Sequence, residues 1–118
     1  MVSLVGFLDN RPALLEYFPT MKARLLFDRR VAVTERAFAE LVLWEVPAPV
    51  RGSAHNYRYR LAFVVREVCV LRYDNEAGKG DHVHRSSREL AYHFTNPDRL
   101  VADFFADIGK WLNENSDT

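Results

Sequence analysis

The sequence predicts an α+β fold: an antiparallel sheet of four to five strands, a long C-terminal amphipathic helix packed on one face, and a short N-terminal helix. Two observations predict the sheet. Tyrosine and leucine alternate with arginine along residues 57–61 of a β-rich run that ends at residue 65, and a second apolar run follows only two residues later, which is typical of a hairpin. A third observation predicts the helix, because apolar residues recur at steps of three and four along residues 97–113.

The chain has 118 residues, the length of a single domain, and we expect one domain over 1–118. Its apolar fraction of 48% favours a folded core. No apolar run reaches the roughly 20 residues of a membrane span. The N-terminus has neither a basic segment nor a small-residue cleavage site. We therefore expect no membrane contact and a cytoplasmic location.

Cys69 is the only cysteine, so neither an intrachain disulfide nor a thiolate zinc cluster can form. It lies within the apolar stretch FVVREVCVLRY, where we expect it to be buried as a small apolar side chain.

The first half of the chain predicts one helix and several strands. Residues 11–18 are predicted to form the short N-terminal helix, with Asn10 as its expected cap and Pro19 as its expected end, within an extension of about twenty residues. Residues 22–27 alternate as a strand, with Lys22 and Arg24 on one face. A turn at 28–30 and a brief apolar strand at 31–33 follow. Residues 37–46 are ambiguous by composition, and we favour a strand because of Val42, Trp44 and Val46.

The predicted hairpin turns at Arg66 and Glu67, a pair that suits a tight type I′ turn poorly, so a longer loop is also compatible. Its alternation assigns the side chains to two faces. One face takes Tyr57, Tyr59, Leu61, Phe63 and Val65, joined on the return strand by Cys69, Leu71 and Tyr73; the other takes Arg58, Arg60, Arg72 and Asp74.

Residues 76–90 are predicted as a loop or arm, and residues 91–94 as a short strand. Asn96 is a typical helix cap, with Pro97 at the first helical position. Helix 97–113 then buries one apolar stripe against the sheet.

Charge is unevenly distributed although the net charge is zero. Residues 51–88 contain eight basic and four acidic side chains, whereas residues 89–118 contain two basic and six acidic ones. If the helix covers the Leu61 face, the other face carries Lys22, Arg24, Arg58, Arg60 and Arg72. Two interpretations stay open here: a surface that binds an anion, or arginines paired with Glu40, Glu45 and Asp74.

The stretch GKGDHVHRSS, residues 78–87, concentrates groups that can do chemistry. His82 and His84 alternate, so in an extended segment both imidazoles project to the same side. Three interpretations compete. The imidazoles can act as an acid–base pair near neutral pH, or they can bind a metal ion together with His55, His93 or Asp74. They can also be surface residues without a catalytic or binding function.

The neighbours of the two histidines favour phosphodiester chemistry without a metal or other cofactor. Lys79 and Arg85 are cations beside the pair, and a cation competes with a metal ion for such a site. Gly78 and Gly80 allow the backbone to approach a ligand closely.

Four segments together resemble the TumE family of toxins: AHNYRYRL (54–61), RYDNEAGKGDHVH (72–84), YHF (92–94) and DFFADI (103–108). The likeness defines a toxin-like domain over residues 22–110. It implies a type II toxin–antitoxin pair, in which a helix-turn-helix antitoxin neutralises the toxin by direct binding. An RNA-cleaving activity is the usual supposition for the family. The matching positions with polar or aromatic side chains are His55, Tyr57, Tyr59, Tyr73, Asp74, Asn75, Lys79, Asp81, His82, His84, Tyr92 and Phe94.

The resemblance and the residue chemistry together predict a metal-independent endoribonuclease. RNA cleavage by its own 2′-OH requires a base, an acid and a cation at the phosphate. We assign His82 and His84 as base and acid in either order, and Lys79 and Arg85 as the stabilising cations, with His55 completing the candidate catalytic residues. The candidate RNA-binding residues are Arg58, Arg60, Tyr57, Tyr59, Tyr73 and Asp74.

Two alternatives remain at this point. The protein can inhibit growth by binding a target through its arginine-bearing face without turnover, or it can be a metal-dependent phosphodiesterase that uses His82 and His84. The tyrosines are equally compatible with simple packing. The expected partners are the antitoxin and RNA, and association as a homodimer is left open.

Overall fold

The structure, a computed structural model, describes residues 22–115. Six strands form one antiparallel sheet in which each strand pairs with the next along the chain. The elements are β1 (Arg24–Thr34), β2 (Ala37–Glu45), β3 (Tyr57–Val65), β4 (Val68–Glu76), β5 (Gly80–Arg85), β6 (Arg88–Ala91) and α1 (Pro97–Glu114). The α+β class and the C-terminal helix are confirmed, but the sheet has six strands rather than four to five. The predicted N-terminal helix lies outside the described residues.

The first strand differs from the sequence prediction. The turn expected at 28–30 is absent, because these residues continue β1 and pair with Val42, Leu41 and Glu40 of β2. The pairing register shifts between Leu25 and Phe27. This irregularity reverses the alternation, so Arg24 lies opposite Glu45 and forms an ion pair with it at 2.7 Å. Arg24 therefore does not share a face with Arg58 and Arg60.

The β3–β4 hairpin is confirmed, and its turn contains only two residues. Arg66 and Glu67 have φ angles of 50° and 70°, the left-handed values that a type I′ turn requires. The longer loop that their residue types suggested is therefore wrong. A second register shift follows Phe63, which places Cys69 opposite Val64. Cys69 is exposed rather than buried for this reason.

Strands β5 and β6 occupy the segment that the sequence predicted as a loop or arm. They form a hairpin through Ser86, whose φ of 56° supplies the left-handed residue of the turn. β6 ends at Ala91, so the strand predicted at 91–94 is displaced toward the N-terminus. Hydrophilic residues on both strands concealed the strand pattern, since β5 buries His82 and glycine beside Val83 and β6 is exposed throughout, so neither strand shows apolar alternation.

Helix α1 packs against one face of the sheet, which we call the helix face. Leu100 and Phe104 are fully buried there in one cluster with Leu61, Phe63 and Tyr73. The Asn96 side chain caps the helix by accepting a hydrogen bond from the Arg99 amide at 2.8 Å, as predicted. Among residues 22–115, no helix is both long and apolar enough to cross a bilayer.

Candidate functional site

The opposite face of the sheet, which we call the histidine face, brings together ionisable side chains from three strands. Asp74 lies opposite His82 in the β4–β5 ladder, and Glu89 lies opposite His84 in the β5–β6 ladder. Because β5 is extended, both imidazoles project to this face, in agreement with their alternation. We call Asp74, His82, His84 and Glu89 the histidine cluster.

The polar atoms of the histidine cluster converge closely. His82 Nε2 lies 2.7 Å from Asp74 Oδ1, and Glu89 Oε2 lies 3.3 Å from Nε2 of both histidines. The two rings are 4.8 Å apart and nearly perpendicular. Despite these short separations, Asp74 Oδ1, His82 Nε2 and His84 Nε2 are buried without a hydrogen-bond partner. The histidine–carboxylate contacts therefore lack the geometry of hydrogen bonds.

His82 is held in one orientation. Its side chain is 5% exposed, and Nδ1 lies 2.9 Å from the carbonyl oxygen of Gly80. Because a carbonyl oxygen only accepts, Nδ1 must donate, and Nε2 of the neutral ring then carries a lone pair. Gly80 has a φ of 75°, and a Cβ atom there would lie 2.7 Å from the Gly52 carbonyl oxygen. Gly80 therefore allows the backbone at Gly52 to approach closely, rather than a ligand.

His84 forms the more accessible part of the histidine cluster, with a side chain that is 25% exposed. Burial lowers the pKa of His84, and the neighbouring Arg72 guanidinium lowers this pKa further, while Glu89 acts in the opposite direction. The imidazole is therefore neutral at physiological pH, the form that can accept a proton or bind a metal ion.

Cations surround the histidine cluster. Lys79 Nζ lies 3.6 Å from Glu89 Oε2, so the predicted neighbourhood of Lys79 and the histidines is present. Arg72 Nε lies 3.0 Å from Asp74 Oδ2, the carboxylate oxygen that faces away from His82 Nε2. Arg60 lies directly opposite Asp74 in the β3–β4 ladder and is exposed. Arg58 is half-buried on the same face, opposite Trp44.

Arg85 lies apart from this group, contrary to the sequence-based expectation. Its alternation on β5 directs it to the helix face, where Nη2 donates to Asp107 Oδ2 of α1 at 2.7 Å. The hydroxyl of Tyr73 donates to the same carboxylate oxygen. Burial raises the pKa of Tyr73, and the bond to Asp107 raises it further. These contacts fasten the helix to the sheet.

His55 is also on the helix face, in a network centred on Asp81. Asp81 Oδ2 lies 2.6 Å from both His55 Nε2 and the Tyr59 hydroxyl, and Oδ1 accepts from Ser53 Oγ at 2.6 Å. The ring of His55 stacks on Phe94 with centroids 3.8 Å apart. This network anchors the segment between β2 and β3 to β5, and it does not touch the histidine cluster.

The candidate base-stacking tyrosines lie on the helix face as well. Tyr59 and Tyr73 are only 1% and 2% exposed within the core. Burial raises the pKa of Tyr59, as does its hydrogen bond to Asp81, so its hydroxyl stays protonated. Tyr57 is half-buried beside His55 and Phe94. For Tyr59 and Tyr73 the packing interpretation replaces base stacking, because a nucleotide cannot reach them in this structure.

Sequence reasoning missed Glu89 as a member of the site. It belongs to a segment predicted as a loop, and only the pairing of β5 with β6 brings it opposite His84. A signal was present: a two-residue turn at Ser86 and Ser87 pairs residues 85 with 88 and 84 with 89.

Comparison with known proteins gives one family. The model of the family described as "Toxin TumE" matches residues 15–112. No curated protein and no solved structure gives a significant match.

Proposed function

The chain belongs to the TumE family of toxins, and from that premise we propose that it is the toxin of a toxin–antitoxin pair and cleaves RNA at the histidine cluster. The observation that supports the proposal is the convergence of two imidazoles and two carboxylates on one face of the sheet, with Lys79 beside them. Such groups supply the proton transfer and the charge stabilisation that phosphodiester cleavage requires.

The reaction that suits these groups is an internal transfer within RNA. A base takes the proton of a ribose 2′-OH, and the 2′-oxygen attacks the adjacent phosphorus. The bond from phosphorus to the 5′-oxygen breaks, and an acid protonates that oxygen. The products are a 2′,3′-cyclic phosphate and a free 5′-OH. The only co-reactants are the substrate and the protons that the site exchanges.

His82 and His84 can serve this reaction in two ways. In the sequence-based hypothesis they exchange protons with the substrate directly and no metal takes part. That role requires their Nε2 atoms to reach the substrate, whereas both atoms are buried inside the cluster. Glu89, 42% exposed, would have to move first. The alternative is that the imidazoles hold a metal ion that acts on the phosphate.

The histidine face offers a surface for the RNA backbone next to the cluster. Arg60 is exposed, and its position opposite Asp74 places it two strands from His82, with β4 between them. Exposed arginines bind phosphates with good geometry. Arg72 contributes less, because it forms an ion pair with Asp74.

The same arginines support a second candidate, a toxin that blocks its target by binding without turnover. In that case toxicity on expression would survive loss of both histidines and disappear on charge reversal at Arg58 and Arg60. The nuclease proposal expects the opposite for the histidines. Growth of cells that express each variant separates the two candidates.

The direct test is cleavage of RNA by the purified full chain, with and without EDTA. We expect cleavage to be lost in His84→Ala and retained in His93→Ala, which removes an exposed histidine outside the cluster. Because both variants are purified identically, equal cleavage by the two would identify a contaminating nuclease and contradict the proposal. Cleavage that persists in EDTA would favour direct proton exchange over a metal ion.

Membership in a toxin family implies an antitoxin partner. We propose that this antitoxin carries a helix-turn-helix domain and is encoded in the adjacent reading frame. Co-purification of the two chains tests the pairing, and sedimentation of the toxin alone tests whether it associates as a homodimer.

A further inference from the structure

The strongest unexplained feature of the structure is a set of three buried atoms that lack hydrogen-bond partners. Asp74 Oδ1, His82 Nε2 and His84 Nε2 lie within 4.8 Å of one another, and none has a hydrogen-bond partner. Buried polar atoms are almost always paired, since each unpaired one costs about 1–3 kcal/mol. Three such atoms this close together, none with a hydrogen-bond partner, indicate that something binds between them.

The alternative is a protonated His82 in a buried ion pair with Asp74 and Glu89. That arrangement would place the Nε2–H bond in line with a carboxylate oxygen, because charge-assisted hydrogen bonds of this kind are short and well aligned. The separation of 2.7 Å from Asp74 Oδ1 is short enough, but the contact is not a hydrogen bond. A cation between the atoms satisfies the nitrogen and oxygen lone pairs together.

The orientation of His82 is that of a metal ligand. Its Nδ1 donates to the Gly80 carbonyl at 2.9 Å, which leaves the Nε2 lone pair directed into the cluster. Metal-binding histidines almost always donate their other ring N–H to a carbonyl or carboxylate in this way. Asp74 is similarly fixed from outside, because Arg72 lies against Oδ2 and leaves Oδ1 for the cluster.

The dimensions fit a small divalent ion. Zinc binds nitrogen and carboxylate ligands at about 2.0–2.2 Å, so tetrahedral ligand atoms lie roughly 3.4 Å apart. Glu89 Oε2 is 3.3 Å from both Nε2 atoms, and the shortest pair in the cluster is 2.7 Å. Asp74 Oδ1, His82 Nε2 and His84 Nε2 all lie within 4.8 Å of one another, so side-chain shifts of up to about an ångström would centre an ion among these atoms.

The surrounding cations do not block the position. Arg72 contacts the outer oxygen of Asp74. Lys79 Nζ is 3.6 Å from Glu89 Oε2 on a side chain that is 56% exposed, so it can move into solvent. The sequence predicted that a nearby cation would compete with a metal ion for the site. In the structure Lys79 competes with a metal ion only for Glu89.

We propose that Asp74, His82 and His84, with Glu89 as fourth ligand, bind one divalent transition-metal ion, for which Zn²⁺ is the best match. Two imidazoles with two carboxylates form a donor set that suits zinc and its neighbours rather than Mg²⁺ or Ca²⁺. The metal site stands independently of RNA cleavage, and only its catalytic use rests on the proposed function.

The test is calorimetric titration of ZnCl₂ into the full chain, purified without a histidine tag and stripped by a chelator. We expect one ion per chain. Asp74→Asn and His84→Ala should lower the affinity by more than the ~10–100-fold that loss of an outer-shell partner costs. Glu89→Gln should lower it less, and His93→Ala should leave it unchanged. Circular dichroism confirms that each variant is folded.

Uptake of less than one zinc ion per chain would overturn the metal site. A zinc affinity of folded Asp74→Asn and His84→Ala that equals the affinity of the parent chain would overturn it as well. Its failure is distinguishable from failure of the proposed function. A chain that binds zinc but leaves RNA intact supports the metal site and contradicts the nuclease. A chain that cleaves RNA in EDTA and takes up no zinc supports the nuclease and contradicts the metal site.

Discussion

Asp81 and His82 are consecutive residues whose side chains lie on opposite faces of the sheet. Asp81 Oδ2 is 2.6 Å from the Tyr59 hydroxyl on the helix face, whereas His82 Nε2 is 2.7 Å from Asp74 Oδ1 on the histidine face. One strand thus contributes to a structural network and to the candidate site at adjacent positions. Mutations can therefore separate stability from the chemistry of the histidine cluster.

Asp81→Ala is expected to lower the free energy of unfolding by about 3 kcal/mol, because it leaves the buried Tyr59 hydroxyl and the His55 ring without their acceptor. Urea denaturation measures the change. Glu35→Ala, at an exposed turn residue, is the control and should change stability by less than about 0.5 kcal/mol. An equally small effect of Asp81→Ala would show that the network does not hold the fold.

Substitutions in the β3–β4 turn are expected to stabilise the protein. Arg66 and Glu67 adopt left-handed φ angles of 50° and 70°, which cost roughly 1–2 kcal/mol per residue for most side chains. Arg66→Asn with Glu67→Gly provides the residues that type I′ turns prefer and should raise the unfolding free energy by about 1 kcal/mol or more. The control is Arg66→Gln with Glu67→Gln, which removes the same two charges but supplies no residue that type I′ turns prefer. Equal stability of the two double variants would contradict the explanation.

The helix and the central hairpin could be predicted from sequence because their signals are local. Leu100, Phe104 and Ile108 recur at helical spacing, and Asn96 caps the helix with its own side chain. Alternation alone also placed His82 and His84 on one face. In each case the period of the backbone decides which side chains meet, and no distant pairing is needed.

The errors have a common physical origin in register. One irregularity near Leu25 moved Arg24 to the other face, and another after Phe63 exposed Cys69. Single-residue shifts reverse every side chain beyond them, and no composition signal marks them. Glu89 was missed for a related reason, since its approach to His84 depends on the β5–β6 pairing.

Arg60→Ala is expected to weaken binding of a non-cleavable single-stranded RNA. It should also reduce the dependence of log affinity on log salt by about one unit, because one phosphate contact is lost. Arg29→Ala is the matched control: it removes an exposed arginine from β1 that lies opposite Leu41 and so faces away from the histidine cluster. Fluorescence anisotropy at several salt concentrations measures both. Equal salt slopes for the two variants would argue against RNA binding on the histidine face.

Lys79 and Arg85 are two cations from the same short stretch whose substitutions should have opposite effects: loss of Arg85 should change stability but not function, and loss of Lys79 should change function but not stability. Arg85 donates to Asp107 on the helix, so Arg85→Ala should lower the unfolding free energy by about 1 kcal/mol, because the Arg85 side chain is 46% exposed and solvent weakens the ion pair. The zinc affinity and RNA cleavage of the folded variant should be unchanged, because Arg85 does not contact the histidine cluster. Denaturation, calorimetry and the cleavage assay measure the three quantities on one preparation.

Lys79→Ala should leave stability within about 0.5 kcal/mol of the parent, since the side chain is 56% exposed. Its loss removes the cation that competes for Glu89 Oε2, so the zinc affinity should rise rather than fall. RNA cleavage should nevertheless slow by about tenfold, less than the ~10²–10³ for a buried charge-stabilising donor, because solvent screens Lys79. A parallel fall in zinc affinity would show that Lys79 supports the cluster structurally instead of acting on the phosphate.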